Sequence, residues 1–193
     1  PKAIVISHRN ICHFLRSGNA FYGIGPDDVV FQGASVAFDL SMEEIWTPYL
    51  VGAALYVASP ETMRDAEKLP ALLTEAGVTV IDTVPTLLGI LPSDVPSLRL
   101  ILLGGEALPP AIVQKWSKPG RRILNTYGPT EATVTATMGA LTPDKPVTIG
   151  APLPTYSIVI LDPSLPEPAE PGELGEIGIV VIGPAVGYLN RHD

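Results

Sequence analysis

The chain has 193 residues, of which 46% are hydrophobic, and its mean hydropathy is +0.31, so it can bury a sizeable core. Its formal net charge of −8, without any Lys/Arg cluster, argues against a nucleic-acid groove. A single cysteine, Cys12, excludes an internal disulfide and a multi-cysteine metal site, so we expect a cytoplasmic protein. No apolar run reaches the roughly 18 residues that a membrane span needs.

In chain order, short apolar runs alternate with helical patterns, and each run ends near Gly, Pro, Asp or Asn. The predicted strands lie at residues 3–6, 29–32, 54–57, 78–81, 100–103 and 123–124, and the predicted helices at residues 10–20, 41–51, 65–76, 86–91 and 109–116. This alternation predicts an α/β fold with a mainly parallel sheet flanked by helices.

The pattern changes from about Pro143, where prolines become frequent and helical periodicity disappears. Apolar runs at 156–162 and 176–183 flank a turn-rich stretch at 163–171, which predicts a β-rich subdomain with a solvated hairpin loop. We therefore expect an α/β core at residues 1–142 and a β-rich subdomain at residues 143–193.

The helix predicted at 41–51 has the clearest end signals. Ser41 and Glu44 have the spacing of a capping box, and Gly52 stands where a left-handed helix end is typical. Trp46 lies on this helix and is expected in the core.

Three loops that follow predicted strands carry glycines or short polar side chains, at residues 36–44, 102–108 and 125–131. In open α/β sheets, ligands bind beyond the carboxyl ends of the strands, where such loops collect. Glycines let a ligand approach the backbone closely. Each loop alone is a weak signal, but the three together indicate a ligand site.

Five ordered motifs resemble the AMP-forming adenylating enzymes, and among them the amino-acid adenylation domains of nonribosomal peptide synthetases. The motifs are FDLS at 38–41, GGEAL at 104–108, NTYGPTE at 125–131, IGAPLPTYSIVILD at 149–162, and GELGEI at 172–177 followed by GYLNR at 187–191. The resemblance covers essentially the whole chain. Two departures, Val181 where Gly is common and Val186 where Arg is common, carry little catalytic weight.

This resemblance implies that a carboxylate attacks the α-phosphate of ATP, forming an acyl-adenylate and pyrophosphate, and that a thiol then accepts the acyl group. It also implies a partial N-terminal large domain, with the phosphate loop largely lost before Pro1 and the small C-terminal domain, with its catalytic Lys, absent beyond Asp193. We therefore expect the fragment alone to be inactive. The implied partners are an amino acid and a peptidyl carrier protein domain bearing phosphopantetheine, with no nucleic acid or membrane.

The nucleotide site implied by the resemblance binds ATP or AMP with Mg²⁺. Its residues are Gly104, Gly105, Glu106, Asn125, Tyr127, Gly128 and Thr130, with Glu131 as the metal ligand. Thr130 and Glu131 are the expected catalytic residues, because a hydroxyl suits the α-phosphate and a hard carboxylate oxygen suits Mg²⁺. Read without the resemblance, Asn125 and Tyr127 form a turn, and Glu131 is a solvated residue in the first turn of a helix.

On the substrate side, Asp39 is implied to hold an α-amino group. That favours an amino acid over the substrates of an acyl- or aryl-CoA ligase, which is one alternative; a noncatalytic nucleotide-binding relative is another. The rest of the implied pocket consists of Leu40, Glu43, Asp82, Leu102, Gly104, Thr126, Val134 and Thr135.

Two members of this pocket, Glu43 and Asp82, are acidic. Burial of two unpaired carboxylates is costly and their repulsion raises one pKa, so they require a cation between them. We therefore expect a substrate with a basic side chain, such as lysine, β-lysine, ornithine or arginine. The alternative is that Glu43 faces solvent on its helix.

Overall fold

The computed structural model describes residues 2–164 and 167–190. Its β-strands are β1 (Ile4–Val5), β2 (Val29–Gln32), β3 (Ala54–Val57), β4 (Val80–Thr83), β5 (Leu100–Leu103), β6 (Arg122–Tyr127), β7 (Thr137–Ala140), β8 (Ala151–Pro152), β9 (Tyr156–Leu161), β10 (Glu176–Val181) and β11 (Gly187–Tyr188). Its α-helices are α1 (His8–Tyr22), α2 (Leu40–Val51), α3 (Pro60–Arg64), α4 (Leu69–Glu75), α5 (Pro85–Ile90) and α6 (Pro110–Trp116), and one 3₁₀ turn covers Thr130–Ala132.

The largest sheet has the strand order β3-β2-β4-β5-β6-β7-β8. The pairs from β3 through β6 are parallel, whereas β7 and β8 are added antiparallel. The predicted fold class, a mainly parallel sheet flanked by helices, is therefore confirmed. The carboxyl ends of β2, β4, β5 and β6 meet along one edge, where the loops that follow them collect.

Each face of this sheet is covered by its own apolar core. Side chains alternate between faces along a strand, so Ile81 and Val80 point to opposite sides. The face that carries Val80 packs against α1 and α2, through Phe14 and Met42 among others. The alternation places Asp82, two residues after Val80, on this same face.

The second half of the chain adds an antiparallel hairpin of β9 and β10, and β11 pairs with β1. Residues 165–166 of the predicted hairpin loop, and Arg191 of the GYLNR motif, lie outside the described residues. β8 pairs with β7 in the large sheet, although it follows the predicted boundary at 142/143. The division of the chain at that point stays a prediction.

Helix α2 departs from its predicted capping and orientation. The capping box is wrong, because the Ser41 hydroxyl donates to the Phe38 carbonyl at 2.6 Å, whereas the Glu44 carboxylate accepts from the backbone N–H groups of Gly33 and Ala34. Trp46 is 47% exposed, so its assignment to the core is also wrong. The inward face of α2 is instead polar.

The end of α2 at Gly52 is as predicted, with φ 74° and an N–H group that donates to the Pro48 carbonyl. The helix predicted at 65–76 is the shorter α4, which begins at Leu69, and α3 before it was not predicted. Pro70 in the first turn of α4 explains the new start, since proline lacks the N–H group that a helix interior needs. Among the described residues, no helix combines the length and apolarity required to cross a lipid bilayer.

Candidate functional site

A cavity of about 430 Å³ opens at the carboxyl edge of the parallel strands. It is lined by the loops that follow β2, β4, β5 and β6, as the sequence predicted for a ligand site. Six predicted substrate residues line it: Asp39, Leu40, Gly104, Thr126, Val134 and Thr135. Three predicted nucleotide residues, Gly105, Glu106 and Gly128, line the same cavity.

The acidic pair lies one side chain deeper than this cavity. Glu43 and Asp82 are each 2% exposed and stand outside the lining, as does Leu102. The hydroxyl of Thr135, which does line the cavity, donates to Oε2 of Glu43 over 3.4 Å, a long contact. The alternative in which Glu43 faces solvent is wrong, because α2 turns this side chain toward the sheet.

Three oxygens of this buried pair have no hydrogen-bond partner: Oε1 of Glu43 and both carboxylate oxygens of Asp82. Burial raises the pKa of Glu43 to about 7. Burial, and then the charge of Glu43, raise the pKa of Asp82 well above its usual range. The two carboxyls therefore resist carrying two negative charges at neutral pH without a counter-ion.

Asp39 stands at the mouth of the cavity, immediately before α2. It occupies the N-cap position, but its side chain makes no capping hydrogen bond. Instead, Oδ2 of Asp39 accepts a 2.5 Å hydrogen bond from the hydroxyl of Thr130. The residue predicted to hold the α-amino group and the residue predicted to contact the α-phosphate are therefore direct neighbours.

Two glycines in the lining are required by the fold. A Cβ atom on Gly104 would lie 2.4 Å from the Thr126 hydroxyl, so β5 and β6 come together only because that side chain is missing. A Cβ atom on Gly128 would lie 2.5 Å from the Val134 carbonyl. Close packing therefore explains these glycines independently of the ligand contact that the sequence suggested.

The loop after the 3₁₀ turn carries unusual backbone geometry. Thr133 and Val134 both have positive φ angles, 68° and 67°. β-branched residues rarely adopt this conformation, which costs on the order of 1–3 kcal/mol each. Such strain persists only where the surroundings enforce it, and here it presents Val134 and Thr135 to the cavity.

Two predicted nucleotide residues, Asn125 and Glu106, are held by hydrogen bonds within the protein. Asn125 is buried, and its side-chain amide donates to the Thr148 carbonyl at 2.8 Å. The Glu106 carboxylate accepts from the backbone N–H of Thr86 at 3.1 Å and from its hydroxyl at 2.5 Å. Tyr127 ends β6, half-buried, outside the lining of the 430 Å³ cavity.

Glu131 also lies outside that lining. Its Oε1 accepts a short hydrogen bond from the Tyr188 hydroxyl, which lowers the pKa of Glu131 and keeps it ionised. In the described part of the chain, no group of three or more His, Cys, Asp or Glu residues could hold a metal. A cation bound at Glu131 would therefore take its other ligands from phosphate and water, as Mg²⁺ commonly does.

A second cavity of about 560 Å³ lies between α1 and α2. It is mostly apolar, with Leu15, Met42 and Trp46 in its lining. Asp39 and Val134 line both cavities, so the two meet at the predicted amine-binding carboxylate.

Sequence reasoning missed two buried polar residues next to the site. Glu44 lines the 430 Å³ cavity, and burial raises its pKa to about 7 although backbone N–H groups bind it. Tyr22 lies beside the acidic pair with a buried hydroxyl that has no partner. Helical spacing places both residues inward, but it does not separate a polar inward face from an apolar one.

A model of one protein family matches residues 1–189, under the description "AMP-binding enzyme". The chain belongs to the AMP-binding enzyme family. The predicted resemblance is therefore confirmed, and the proteins similar to this chain include peptide synthetases. A "Delta-poly-L-ornithine synthetase" of Acinetobacter baumannii is 51% identical over 100% of this chain and 14% of its own length. "Tyrocidine synthase 2" of Brevibacillus parabrevis is 35% identical over 99% of this chain and 5% of its own length.

Solved structures give the same result for this AMP-binding enzyme. A nonribosomal peptide synthetase, FmoA3, matches 98% of the chain with a TM-score of 0.88 and 25% identity, over 22% of its own chain. CmiS6 matches 97% of the chain with a TM-score of 0.89 and 30% identity, over 49% of its own chain. The described fold thus corresponds to one part of larger enzymes, as the predicted partial large domain requires.

Proposed function

We propose that this chain belongs to an adenylation domain that activates an amino acid with a basic side chain. In this proposal, the amino acid and ATP form an aminoacyl-AMP and pyrophosphate. A carrier-protein thiol then takes the aminoacyl group as a thioester while AMP leaves, as in nonribosomal peptide synthesis. The proposal joins three features of the site: a glycine-lined cavity at the strand ends, one carboxylate at its mouth, and a buried pair of carboxylates behind it.

The buried, unpartnered pair of Glu43 and Asp82 is the observation that carries the substrate class. An ammonium or guanidinium group placed between these carboxylates would offset their repulsion and satisfy oxygens that have no other partner. A neutral side chain of the same shape would leave them unpaired, which disfavours it by roughly 100-fold or more.

The position of Thr135 supports a long basic side chain. A substrate cation that enters the cavity at Asp39 would reach the acidic pair only beyond the Thr135 hydroxyl. The long 3.4 Å contact between this hydroxyl and Glu43 holds it weakly. Lysine, β-lysine, ornithine and arginine all carry their charge at the end of such a chain. The name of the poly-L-ornithine synthetase relative agrees with a basic substrate.

In the proposed reaction, the substrate carboxylate oxygen forms a bond to the α-phosphorus as the bond to the β-phosphate oxygen breaks and pyrophosphate leaves. Asp39 would hold the α-amino group. The Thr130 hydroxyl, which donates to Asp39 at 2.5 Å in this structure, would redirect that hydrogen bond to the α-phosphate. These neighbours would bring the reacting oxygen and phosphorus together, because each binds a different reactant.

The proposed cofactor is ATP with Mg²⁺, and Glu131 is the proposed metal ligand. Its ionised carboxylate fits a hard cation, which would offset charge on the phosphates. Gly104, Gly105 and Gly128 line space next to the backbone that a flat adenine could occupy. The apolar second cavity meets the first at Asp39 and offers a route for the phosphopantetheine thiol of a carrier domain.

The test is amino-acid-dependent exchange of pyrophosphate into ATP by the full-length enzyme that carries this chain, across the common amino acids together with ornithine and β-lysine. We expect the highest kcat/KM with a basic amino acid. Preference for a neutral or acidic amino acid would refute the substrate class but leave the adenylation chemistry intact. Absence of exchange with every amino acid would favour a noncatalytic relative. Exchange with an added acyl or aryl acid that lacks an amine, in preference to every amino acid, would favour an acyl- or aryl-CoA ligase. Cytoplasmic location remains a prediction.

A further inference from the structure

Tyr22, the last residue of α1, lies beside the acidic pair. The residue is 1% exposed, and its hydroxyl has no hydrogen-bond partner. Oε1 of Glu43 and both Asp82 oxygens share this state. Three side chains from α1, α2 and β4 thus bring unpaired polar atoms to one buried place, which is unusual because buried polar groups are ordinarily satisfied.

The ring of Tyr22 is fixed in this position. A Cβ atom on Gly18, one helical turn earlier, would lie 2.9 Å from the ring and 3.2 Å from its hydroxyl, so the ring lies against a bare backbone. The end of α1 is anchored as well, because the Arg122 guanidinium donates to the carbonyls of Phe21 and Tyr22 at 2.7 and 2.9 Å. The backbone therefore sets the position of the hydroxyl, which lies close to Glu43 and Thr135.

Electrostatics keep Tyr22 neutral beside Glu43. Burial, and then the charge of Glu43, raise the pKa of Tyr22 well above its usual value, so the phenol keeps its proton. The hydroxyl in turn lowers the pKa of Glu43, opposing the larger effect of burial. The other groups that face Glu43 are Asp39 from its own helix, Asp82 from β4, Thr135 from the strained loop and Tyr156 from β9.

We propose that Tyr22 is a positioning residue whose hydroxyl donates to the Glu43 carboxylate, holding it charged and aimed at the terminal cation of the substrate. This inference rests on the proposed function, because it assigns Tyr22 a part in recognition of the same basic side chain. Tyr22 does not touch the reacting atoms, so its loss weakens substrate binding and leaves the chemical step in place.

The test is Tyr22→Phe in the full-length enzyme, assayed by pyrophosphate exchange at pH 6, 7 and 9. We expect the KM for the preferred basic amino acid to rise roughly 10-fold at pH 7, the loss typical of a hydrogen bond to a charged group. The rise in KM should be largest at pH 6 and smallest at pH 9, because at pH 9 Glu43 is ionised even without the Tyr22 hydroxyl. The kcat and the KM for ATP should change less than about twofold.

Tyr56→Phe is the matched control, since it removes a tyrosine hydroxyl from β3, where the ring stacks on Phe31 away from the acidic pair. Gly18→Ala is a second variant that keeps the Tyr22 hydroxyl but displaces it, and we expect its KM to rise in the same pH-dependent way. An unchanged KM for Tyr22→Phe at all three pH values would overturn the inference. So would an equal rise at every pH with an equal rise in the KM for ATP, which marks a packing role. A wild-type preference for a neutral amino acid would instead refute the proposed function.

Discussion

The glycine-lined half of the site and its acidic back differ in how their polar atoms are satisfied. In the first half, Thr126 donates to the Leu103 carbonyl and Glu106 accepts from Thr86, so the protein satisfies its own groups. At the back, Glu43 and Asp82 keep oxygens without partners. The fold therefore accounts for the polar groups of the first half, whereas those of the second half fit the proposed ligand, which would bring its own charge.

Neutralising the acidic back should have the largest effect. We expect Glu43→Gln with Asp82→Asn to lower kcat/KM for the preferred basic amino acid by roughly 100-fold or more, and to raise it for a neutral isostere. Pyrophosphate exchange with both substrates measures the change. Glu75→Gln, at the exposed end of α4, is the matched control. Equal losses with both substrates would contradict a role in charge recognition.

Filling the glycine-lined half should act first on stability. Gly104→Ala places a methyl group against the Thr126 hydroxyl, and overpacking of this kind destabilises by about 1–3 kcal/mol. The measurement is the temperature of half-inactivation, which we expect to fall and to recover in the double variant Gly104→Ala with Thr126→Ala. Lost ATP binding at unchanged stability would show instead that the ligand needs the bare backbone.

The pH dependence of substrate binding sharpens the comparison further. Below pH 7 Glu43 is protonated, because its pKa is raised to about 7, and it must release that proton before it can pair with a cation. The KM for a basic amino acid should therefore fall roughly 10-fold per pH unit as pH rises toward 7, and level off above it. The KM for ATP serves as the control. A flat profile for the basic substrate would show that the pair is already ionised.

The hydrogen bond between Thr130 and Asp39, where the two halves of the site meet, should give the smallest loss of activity when it is removed. Thr130→Val removes the 2.5 Å hydrogen bond to Asp39, and we expect kcat/KM to fall roughly 5- to 10-fold, since Asp39 is only half-buried. Thr130→Ser keeps the hydroxyl and should retain most of the activity. A loss in the serine variant as large as that in the valine variant would contradict a role for the hydroxyl, because serine keeps it.

The sequence predicts the strands of the large sheet well. Val29–Gln32 and Leu100–Leu103 begin and end as expected, because each is a short apolar run buried on both faces between clear turn residues. The end of an apolar strand also marked Asp82 as a buried carboxylate, and the structure agrees.

The sequence reasoning failed at Trp46 and at Tyr22. Glu43 and Trp46, three residues apart, lie next to each other around α2, so helical spacing does not separate the buried side chain from the exposed one. The usual rule buries the tryptophan, whereas this helix buries the glutamate. Tyr22 was missed for the same reason, because a tyrosine near a helix end has the pattern of ordinary core. Tyr22, Glu43 and Asp82 come together only because α1 and α2 pack on the face of the sheet that carries Asp82.

The reversed polarity of α2 has a consequence for engineering. Its inner face holds Glu43 and Glu44, while Trp46 and Tyr49 face outward with their ring centroids 5.6 Å apart. Recoding the selectivity of this enzyme should therefore replace inward positions one at a time. Grafting the whole helix from a donor would also exchange the aromatic outer surface, and with it whatever neighbouring structure that surface contacts.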